Sequence, residues 1–157
     1  MELFRIEREI FINQTLLGLG AAKSHNARWN HYNMPIVYTS QSRSLAVLEI
    51  LVQLHLTNDL PNDRFILTLD VPDSLQIEIL DPILLSKNWG DYPPTKQTKD
   101  LGAQFVYQSN SPILKVPSVV VEGEFNYLIN PWHQDTRLIK IKKMSKLQFD
   151  SRLHMKS

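Results

Sequence analysis

Glu49 is the residue whose surroundings fit its chemistry least. It lies between Leu48 and Ile50, on the stripe shared with Leu45 and Val52, in a segment with hardly any polar face. Burying a carboxylate is costly unless the group is paired and hydrogen-bonded. The pattern therefore fits a carboxylate kept for chemistry. It also fits a structural glutamate that sits in an ion pair or turns to solvent at the helix edge.

Arg28 is the natural partner for such a carboxylate. It lies in a loop with the aromatic and amide neighbours Trp29, Asn30 and Tyr32, a composition typical of a binding surface. Its guanidinium carries a rigid fork of N–H donors that suits phosphate or carboxylate. The alternative is an arginine stacked on Trp29 for packing alone.

Three further residues give weaker signals. Tyr38 ends a short strand that runs directly into the Glu49 helix, so its ring faces either the same pocket or the core. Ser118 begins an apolar run and also reads as an ordinary strand-end serine. Asn130 precedes Pro131, and turn chemistry explains it as well as ligand binding does.

The composition excludes several classes of chemistry. The 157 residues contain no cysteine, so thiol nucleophiles, zinc ribbons and iron–sulfur clusters are ruled out. The histidines never recur at i,i+4 on a helix, and glycine-rich phosphate loops and the Gly-x-Ser-x-Gly elbow are missing. We therefore expect no metal and no bound cofactor, which leaves Arg, Glu, Ser, Tyr and Asn to do the chemistry.

Charge and hydropathy limit the partners and the location. The formal net charge is +1, so we expect no direct nucleic-acid binding, and the lysines of 140–146 are read as a solvated edge or a surface for an acidic partner. Charged residues interrupt the N-terminus at once, and the longest nearly uncharged run, 45–56, is too short to span a bilayer. We expect no membrane association and a cytoplasmic protein.

The helices and strands that must position these residues are predicted to form one domain of mixed α+β class, residues 1–157. A buried helix is predicted over 42–55 and a second helix over 98–108, where Gly102 weakens it. Short strands are predicted at 4–6, 36–39, 65–71, 75–80, 118–121, 125–129 and 138–141. The order is not a regular βαβ alternation, which indicates the mixed α+β class.

Taken together, the chain resembles the RES domain family. The blocks that carry the resemblance occur in order over nearly the whole chain, at 27–30, 35–40, 44–49, 116–120, 126–131 and 149–153. The arginine, glutamate and serine that name the family map to Arg28, Glu49 and Ser118, and its strand tyrosine maps to Tyr38. Relatives usually carry glycines just before the Arg-Trp-Asn run, whereas positions 24–27 read Ser-His-Asn-Ala here.

The resemblance implies a fold similar to the ADP-ribosyltransferase core, with short twisted sheets and a buried helix that carries Glu49. It also implies the toxin half of a toxin–antitoxin pair. It implies action on NAD+ as substrate, by hydrolysis, phosphorolysis or ADP-ribosyl transfer. Arg28, Tyr38 and Glu49 are then the catalytic residues, and Arg28, Tyr38, Ser118 and Asn130 bind the substrate. The implied partner is an Xre-type antitoxin, and a homodimer within that complex is compatible. The alternative is a catalytically inert RES-fold module that binds a helix-turn-helix regulator.

Overall fold

The computed structural model describes residues 1–54 and 60–153. Seven strands and three α-helices alternate irregularly along the chain, with four short 3-10 helices between them. The strands are β1 (Glu2–Arg8), β2 (Val37–Ser40), β3 (Arg64–Asp70), β4 (Ile77–Ile79), β5 (Ile113–Pro117), β6 (Phe125–Ile129) and β7 (Lys140–Lys146). The helices are α1 (Leu19–Ala22), α2 (Arg43–Gln53) and α3 (Lys96–Gln108), and the 3-10 helices are Glu9–Leu17, Pro82–Leu84, Gln134–Leu138 and Ser151–Leu153. Within these residues no helix is both long and apolar enough to cross a membrane.

All seven strands join one mixed sheet in the order β4-β5-β6-β2-β1-β3-β7. The mixed α+β class is confirmed, but the short sheets that we expected are a single sheet, because every strand forms hydrogen-bonded pairs with its neighbours, even where only one pair is made. Only β4 and β5 run parallel. β7 lies at one edge, where its lysines keep the edge solvated.

The sheet has one weak seam, between β1 and β2. Those strands share a single registered pair, Phe4 with Ser40, whereas β1 and β3 share seven. Arg5 adds a bond across the seam, because its Nη1 donates to the carbonyl oxygen of Tyr38 (2.9 Å). Helix α2 packs against both strands and covers the seam.

Two apolar layers hold the sheet from opposite faces. One layer contains Leu3, Leu67 and Ile129 and lies under the first 3-10 helix, whose Ile12 and Leu16 pack against it. The other contains Trp29, Phe105 and Leu128 and lies under α3. Tyr38 packs against this second layer. The loop that carries Arg28 and the strand that carries Tyr38 are thus tied to α3.

Helix α2 differs from the fully buried helix predicted over 42–55. Its start is as expected, since the Ser42 side chain accepts a hydrogen bond from the Leu45 amide and caps the helix. Only Leu45 and Ala46 are buried, however, while Leu48 is 42% and Val52 61% exposed. A helix laid on one face of a sheet buries one stripe, so the apolar residues of its other sides reach the surface. The predicted end at His55 lies outside the described residues.

The strand predicted at 118–121 is wrong. The structure instead has β5 at Ile113–Pro117, where no strand was predicted, and the valines after Ser118 form a bend that leads into a turn at 122–123. The Ser118 hydroxyl accepts hydrogen bonds from the amides of Val120 (3.0 Å) and Val121 (3.1 Å). This local bonding offers the backbone an alternative to a strand ladder, and it overrides the β propensity of three valines.

Gly102 is the point where α3 meets the loop that carries Arg28. A Cβ atom at this position would lie 1.7 Å from the carbonyl oxygen of Trp29 and 2.7 Å from its carbonyl carbon. Glycine therefore does more here than weaken the helix. Its missing side chain allows the backbone of Trp29 to rest directly on α3.

We predict that Gly102→Ala destabilises the protein strongly, because helix and loop must separate to admit the methyl group. The loss should reach about 3 kcal/mol of unfolding free energy, the upper part of the range for overpacking. Gly20→Ala is the matched control, since nothing lies within 4 Å of its Cβ position in α1. Urea unfolding measures both, and equal stability of the two variants would contradict the close approach.

Candidate active site

Glu49 lies on α2, half-buried, and one of its two carboxylate oxygens is held by two donors. The Ser118 hydroxyl donates to Oε1 at 2.8 Å, and the Asn126 side-chain amide donates to the same atom at 2.5 Å. These donors come from the turn after β5 and from β6, 69 and 77 positions away in sequence. Glu49 is therefore neither in an ion pair with a described residue nor turned loosely to solvent.

The direction of the Ser118 hydroxyl follows from its other contacts. Ser118 is 6% exposed, and its hydroxyl oxygen accepts hydrogen bonds from the Val120 and Val121 amides. With both lone pairs engaged, its hydrogen points to Glu49. Ser118 was predicted to bind substrate, but in this arrangement its hydroxyl hydrogen is already committed to the carboxylate.

Asn126 connects Glu49 to the middle of the sheet. Its Oδ1 accepts a hydrogen bond from the Ser40 hydroxyl at 2.8 Å. Ser40 and Asn126 are a registered pair of β2 and β6. A chain of hydrogen bonds thus runs from β2 through β6 to α2.

Arg28 is held by the backbone of the segment just after position 88. Its Nη1 donates to the carbonyl oxygens of Trp89 (2.6 Å) and Asp91 (3.1 Å), and its Nη2 lies 3.4 Å from that of Gly90. The guanidinium also lies 6.0 Å from the centre of the Trp89 ring, so its aromatic neighbour is Trp89 rather than the predicted Trp29. A guanidinium has five N–H donors, and these contacts use three.

The charge of Arg28 is not neutralised by direct contact with a carboxylate among residues 1–54 and 60–153. Burial lowers the pKa of Arg28, and the negative charge of Glu49 opposes that shift. Arg28 and Glu49 therefore act on each other through space. The geometry does not give Arg28 the alternative role of gripping Glu49 by a hydrogen bond.

The Tyr38 hydroxyl is fully used within the protein. It donates to Oδ1 of Asn30 at 2.7 Å and accepts from the Trp29 amide at 2.9 Å. Burial raises the pKa of Tyr38 well above its ordinary value, while the Trp29 amide and the charge of Arg28 partly offset the rise. The hydroxyl remains protonated, so Tyr38 is suited to present its ring rather than to move protons.

Asn130 does not fit its predicted role in substrate binding. It is fully buried, and its Nδ2 donates to the Val106 carbonyl (3.0 Å) while its Oδ1 accepts from the Trp132 amide (2.9 Å). Its amide ties the end of β6 to α3 and to the following turn. The structure therefore assigns Asn130 to the fold, as turn chemistry at Pro131 suggested.

The Arg28 loop is built without the glycines that relatives usually have. The positive φ angles of non-glycine residues in the described chain belong to Asn33 and Ser109, so none of positions 24–27 needs a left-handed conformation. Side chains are thus tolerated at these positions. The Lys99 ammonium donates to the carbonyl of His25 (2.7 Å) and holds this stretch against α3.

Sequence reasoning did not recognise the supporting role of the groups that hold the named residues. Asn30, Ser40 and Asn126 are the side chains concerned, and the carbonyls of 89–91 are the backbone groups. One signal was available for Asn126, an amide inside an otherwise apolar strand. The carbonyls carry no signal in the sequence.

Comparison with known proteins finds one family and several relatives that are named as toxins. The family model for the RES domain matches residues 2–151. The Prs ADP-ribosylating toxin of Sphingobium sp. is 37% identical over 144 residues, which cover 90% of this chain and 88% of that protein. A Toxin Res of Photorhabdus laumondii is 37% identical over 155 residues, covering 98% of this chain and 97% of that protein. Another, of Yersinia enterocolitica, is 34% identical with coverage of 98% and 99%.

A solved structure has the same fold. In the M. tuberculosis MbcT–MbcA toxin–antitoxin complex, the matched chain superimposes with a TM-score of 0.70 at 18% identity, over 93% of this chain and 83% of that one. The resemblance predicted from the sequence is thus confirmed by the family match and by the architecture. The chain belongs to the RES domain family.

Proposed function

We propose that this chain is the toxin of a toxin–antitoxin pair and an enzyme that breaks the bond between nicotinamide and ribose in NAD+. The relatives named as toxins, one of them ADP-ribosylating, support this proposal. The observation that carries it is a carboxylate and a guanidinium that are each fixed by other groups and do not contact each other. Glu49 is a carboxylate fixed by two donors, and Arg28 is a half-buried guanidinium without a contacting carboxylate among the described residues.

The reaction needs a carboxylate more than it needs an acid. When the bond between C1′ of the ribose and N1 of nicotinamide breaks, its electron pair neutralises the positive pyridinium nitrogen. Nicotinamide thus leaves without a proton donor, and positive charge develops on the ribose as in an oxocarbenium ion. A nearby carboxylate stabilises that charge. We assign this role to Glu49.

The second half of the reaction forms a bond from C1′ to an acceptor oxygen or nitrogen. With water as acceptor the product is ADP-ribose, with phosphate it is a phosphorylated ADP-ribose, and with a protein it is an ADP-ribosylated side chain. Water or a protein side chain gives up one proton as the new bond forms, and a carboxylate beside C1′ can receive it, whereas phosphate attacks through an oxygen that is already ionised. Glu49 then serves both halves.

Arg28 is suited to the pyrophosphate of NAD+. Its three backbone contacts fix the plane of the guanidinium, and two N–H groups have no acceptor within the described part of the chain. Such a preset fork binds phosphate oxygens in pairs. The Tyr38 ring, whose hydroxyl is already bonded, is suited to stack against nicotinamide.

A toxin of this kind requires a partner that restrains it. We propose an Xre-type antitoxin that places an acidic side chain or its own C-terminal carboxylate against Arg28, where the pyrophosphate would bind. The MbcT toxin of the matching fold was solved with its antitoxin. Direct occupation of this kind makes antitoxin and NAD+ compete.

We predict that Glu49→Gln abolishes most of the activity and leaves the fold intact. Glutamine keeps an oxygen that accepts from Ser118 and Asn126 but removes the charge that faces the ribose. Nicotinamide release should fall by roughly 10³-fold, as when a main electrostatic group is lost. Chromatography with mass spectrometry of the purified protein in phosphate buffer, with and without cell extract, measures the rate and identifies the acceptor.

Glu122→Gln is the matched control for this experiment, because Glu122 is exposed in the turn that follows Ser118. It should keep normal turnover. Turnover by Glu49→Gln within about tenfold of the native chain would mean that the carboxylate is structural. A native chain that consumes no NAD+ but binds an antitoxin would favour the inert module.

We predict that Arg28→Lys weakens NAD+ binding more than it slows turnover. Lysine keeps the charge but not the planar fork, so it contacts the pyrophosphate and the carbonyls of 89–91 poorly. KM should rise about tenfold or more, with a smaller change in kcat. The control is the exposed Arg137→Lys, and an unchanged KM in Arg28→Lys would remove Arg28 from substrate binding.

We predict that Tyr38→Phe lowers stability but keeps most activity. The change leaves the Trp29 amide and Asn30 Oδ1 without their partner, at a cost of about 2 kcal/mol. The ring remains, so nicotinamide release should stay within about tenfold of the native rate and keep its pH profile. Thermal unfolding and kinetics test this against the exposed Tyr107→Phe, and loss of activity with native stability would give the hydroxyl a chemical role.

A further inference from the structure

We propose that Ser40 and Asn126 are positioning residues that select which oxygen of Glu49 reacts. The inference rests on the proposed function and deepens it. It starts from one observation. The Ser118 hydroxyl and the Asn126 amide both donate their hydrogen bonds to Oε1 of Glu49. No described residue donates a hydrogen bond to Oε2.

Two hydrogen bonds occupy Oε1 fully. A carboxylate oxygen has two lone pairs in the plane of the group, and each accepts one hydrogen bond of good geometry. A third donor, such as a ribose hydroxyl or an attacking water, must therefore be accepted by Oε2. The same contacts fix the plane of the carboxylate, so Oε2 has one direction.

The orientation of the Asn126 amide is determined by chemistry. A carboxylate only accepts hydrogen bonds, so the group 2.5 Å from Glu49 Oε1 is the NH₂ end of the amide. Oδ1 then faces Ser40, whose hydroxyl donates to it at 2.8 Å. Ser40 thereby holds Asn126 in the one rotamer that serves Glu49.

Ser40, Asn126 and Glu49 thus form a relay of hydrogen bonds, and the backbone that supports this relay is rigid. Ser40 is 4% exposed and stands opposite Asn126 in the β2–β6 ladder. It also precedes Ser42, the N-cap of the helix that carries Glu49, by two residues. The relay closes a ring from β2 through β6 to α2 and back along the chain, and side chains supported in this way keep a reacting group within a fraction of an ångström.

Ser40→Ala and Asn126→Ala test the relay. Loss of Asn126 frees one side of Oε1 and should lower kcat by about 100-fold, and loss of Ser40 frees Asn126 and should lower kcat by about tenfold. KM for NAD+ should stay within about threefold in both variants, because the role proposed for both side chains runs through Glu49 and not through a contact with substrate. A purely structural role would not separate kcat from KM in this way.

Thr39→Val is the matched control. Thr39 is the neighbour of Ser40 on β2, and its buried hydroxyl also bonds to β6, at the Tyr127 carbonyl (2.7 Å), without reaching Glu49. Thr39→Val and Ser40→Ala should lower the thermal midpoint by similar amounts. Only Ser40→Ala should lower kcat.

The double variant Ser40→Ala/Asn126→Ala separates a relay from two independent effects. If Ser40 acts through Asn126, adding Ser40→Ala to Asn126→Ala should change kcat less than twofold. A further tenfold loss would overturn the relay, as would native kcat in folded Ser40→Ala. Should Asn126→Ala not fold, the comparison of Ser40→Ala with Thr39→Val decides alone.

These measurements distinguish failure of the relay from failure of the proposed function. If Glu49→Gln keeps its turnover, the role of Glu49 itself is wrong. If Glu49→Gln loses turnover while both relay variants keep the native kcat, the proposed function stands and only the relay is overturned.

Discussion

The site depends on how one carboxylate is held. Glu49 lies where water covers it only partly, so its orientation is set by donors of the protein rather than by solvent. Those donors belong to two elements far from it in sequence, and they meet it only if α2, β6 and the turn after β5 are all in place. Packing of α2 against β6 and the turn after β5 is thus a condition for orienting Glu49.

The positive side of the site is assembled by other means. Arg28 lies in a loop without regular structure, and its position comes from backbone contacts, with the carbonyls of 89–91 on one side and the close approach of Trp29 to Gly102 on the other. The Tyr38 hydroxyl connects this loop to β2 through Trp29 and Asn30. Separate sets of contacts therefore hold Arg28 and Glu49. Each set includes a residue of β2, namely Tyr38 for the Arg28 loop and Ser40 for Glu49.

The sequence was informative where a residue contradicted its surroundings. Glu49 stood out among apolar neighbours, and Arg28 among aromatic and amide ones, whereas Ser118 was ordinary until the family resemblance was considered. Periodicity gave the approximate positions of α2, α3 and most strands, but it did not predict β5, and it placed β7 two residues early and ended it too soon. The valines after Ser118 misled because the Ser118 hydroxyl accepts hydrogen bonds from their amides and bends the backbone there. The burial of α2 was overestimated because pattern alone does not reveal which sides of a helix have a neighbour. The relay through Asn126 and Ser40 depends on strand register, which no local pattern encodes.

The seam between β1 and β2 has a consequence for cooperativity. Hydrogen-bonded ladders are dense in the β4-β5-β6-β2 block and in the β1-β3-β7 block, but one registered pair and the Arg5 side chain join the blocks. Native proteins open first where the fewest bonds must break. Within the sheet, the seam is thus where the fewest hydrogen bonds must break, while the apolar layer of Leu3, Leu67 and Ile129 still joins the two blocks. Ser40 and Asn126 belong to the β4-β5-β6-β2 block, Ser118 directly follows β5, and α2 packs against both blocks. Opening of the seam therefore loosens the packing of α2 and leaves the β2–β6 ladder behind the site intact.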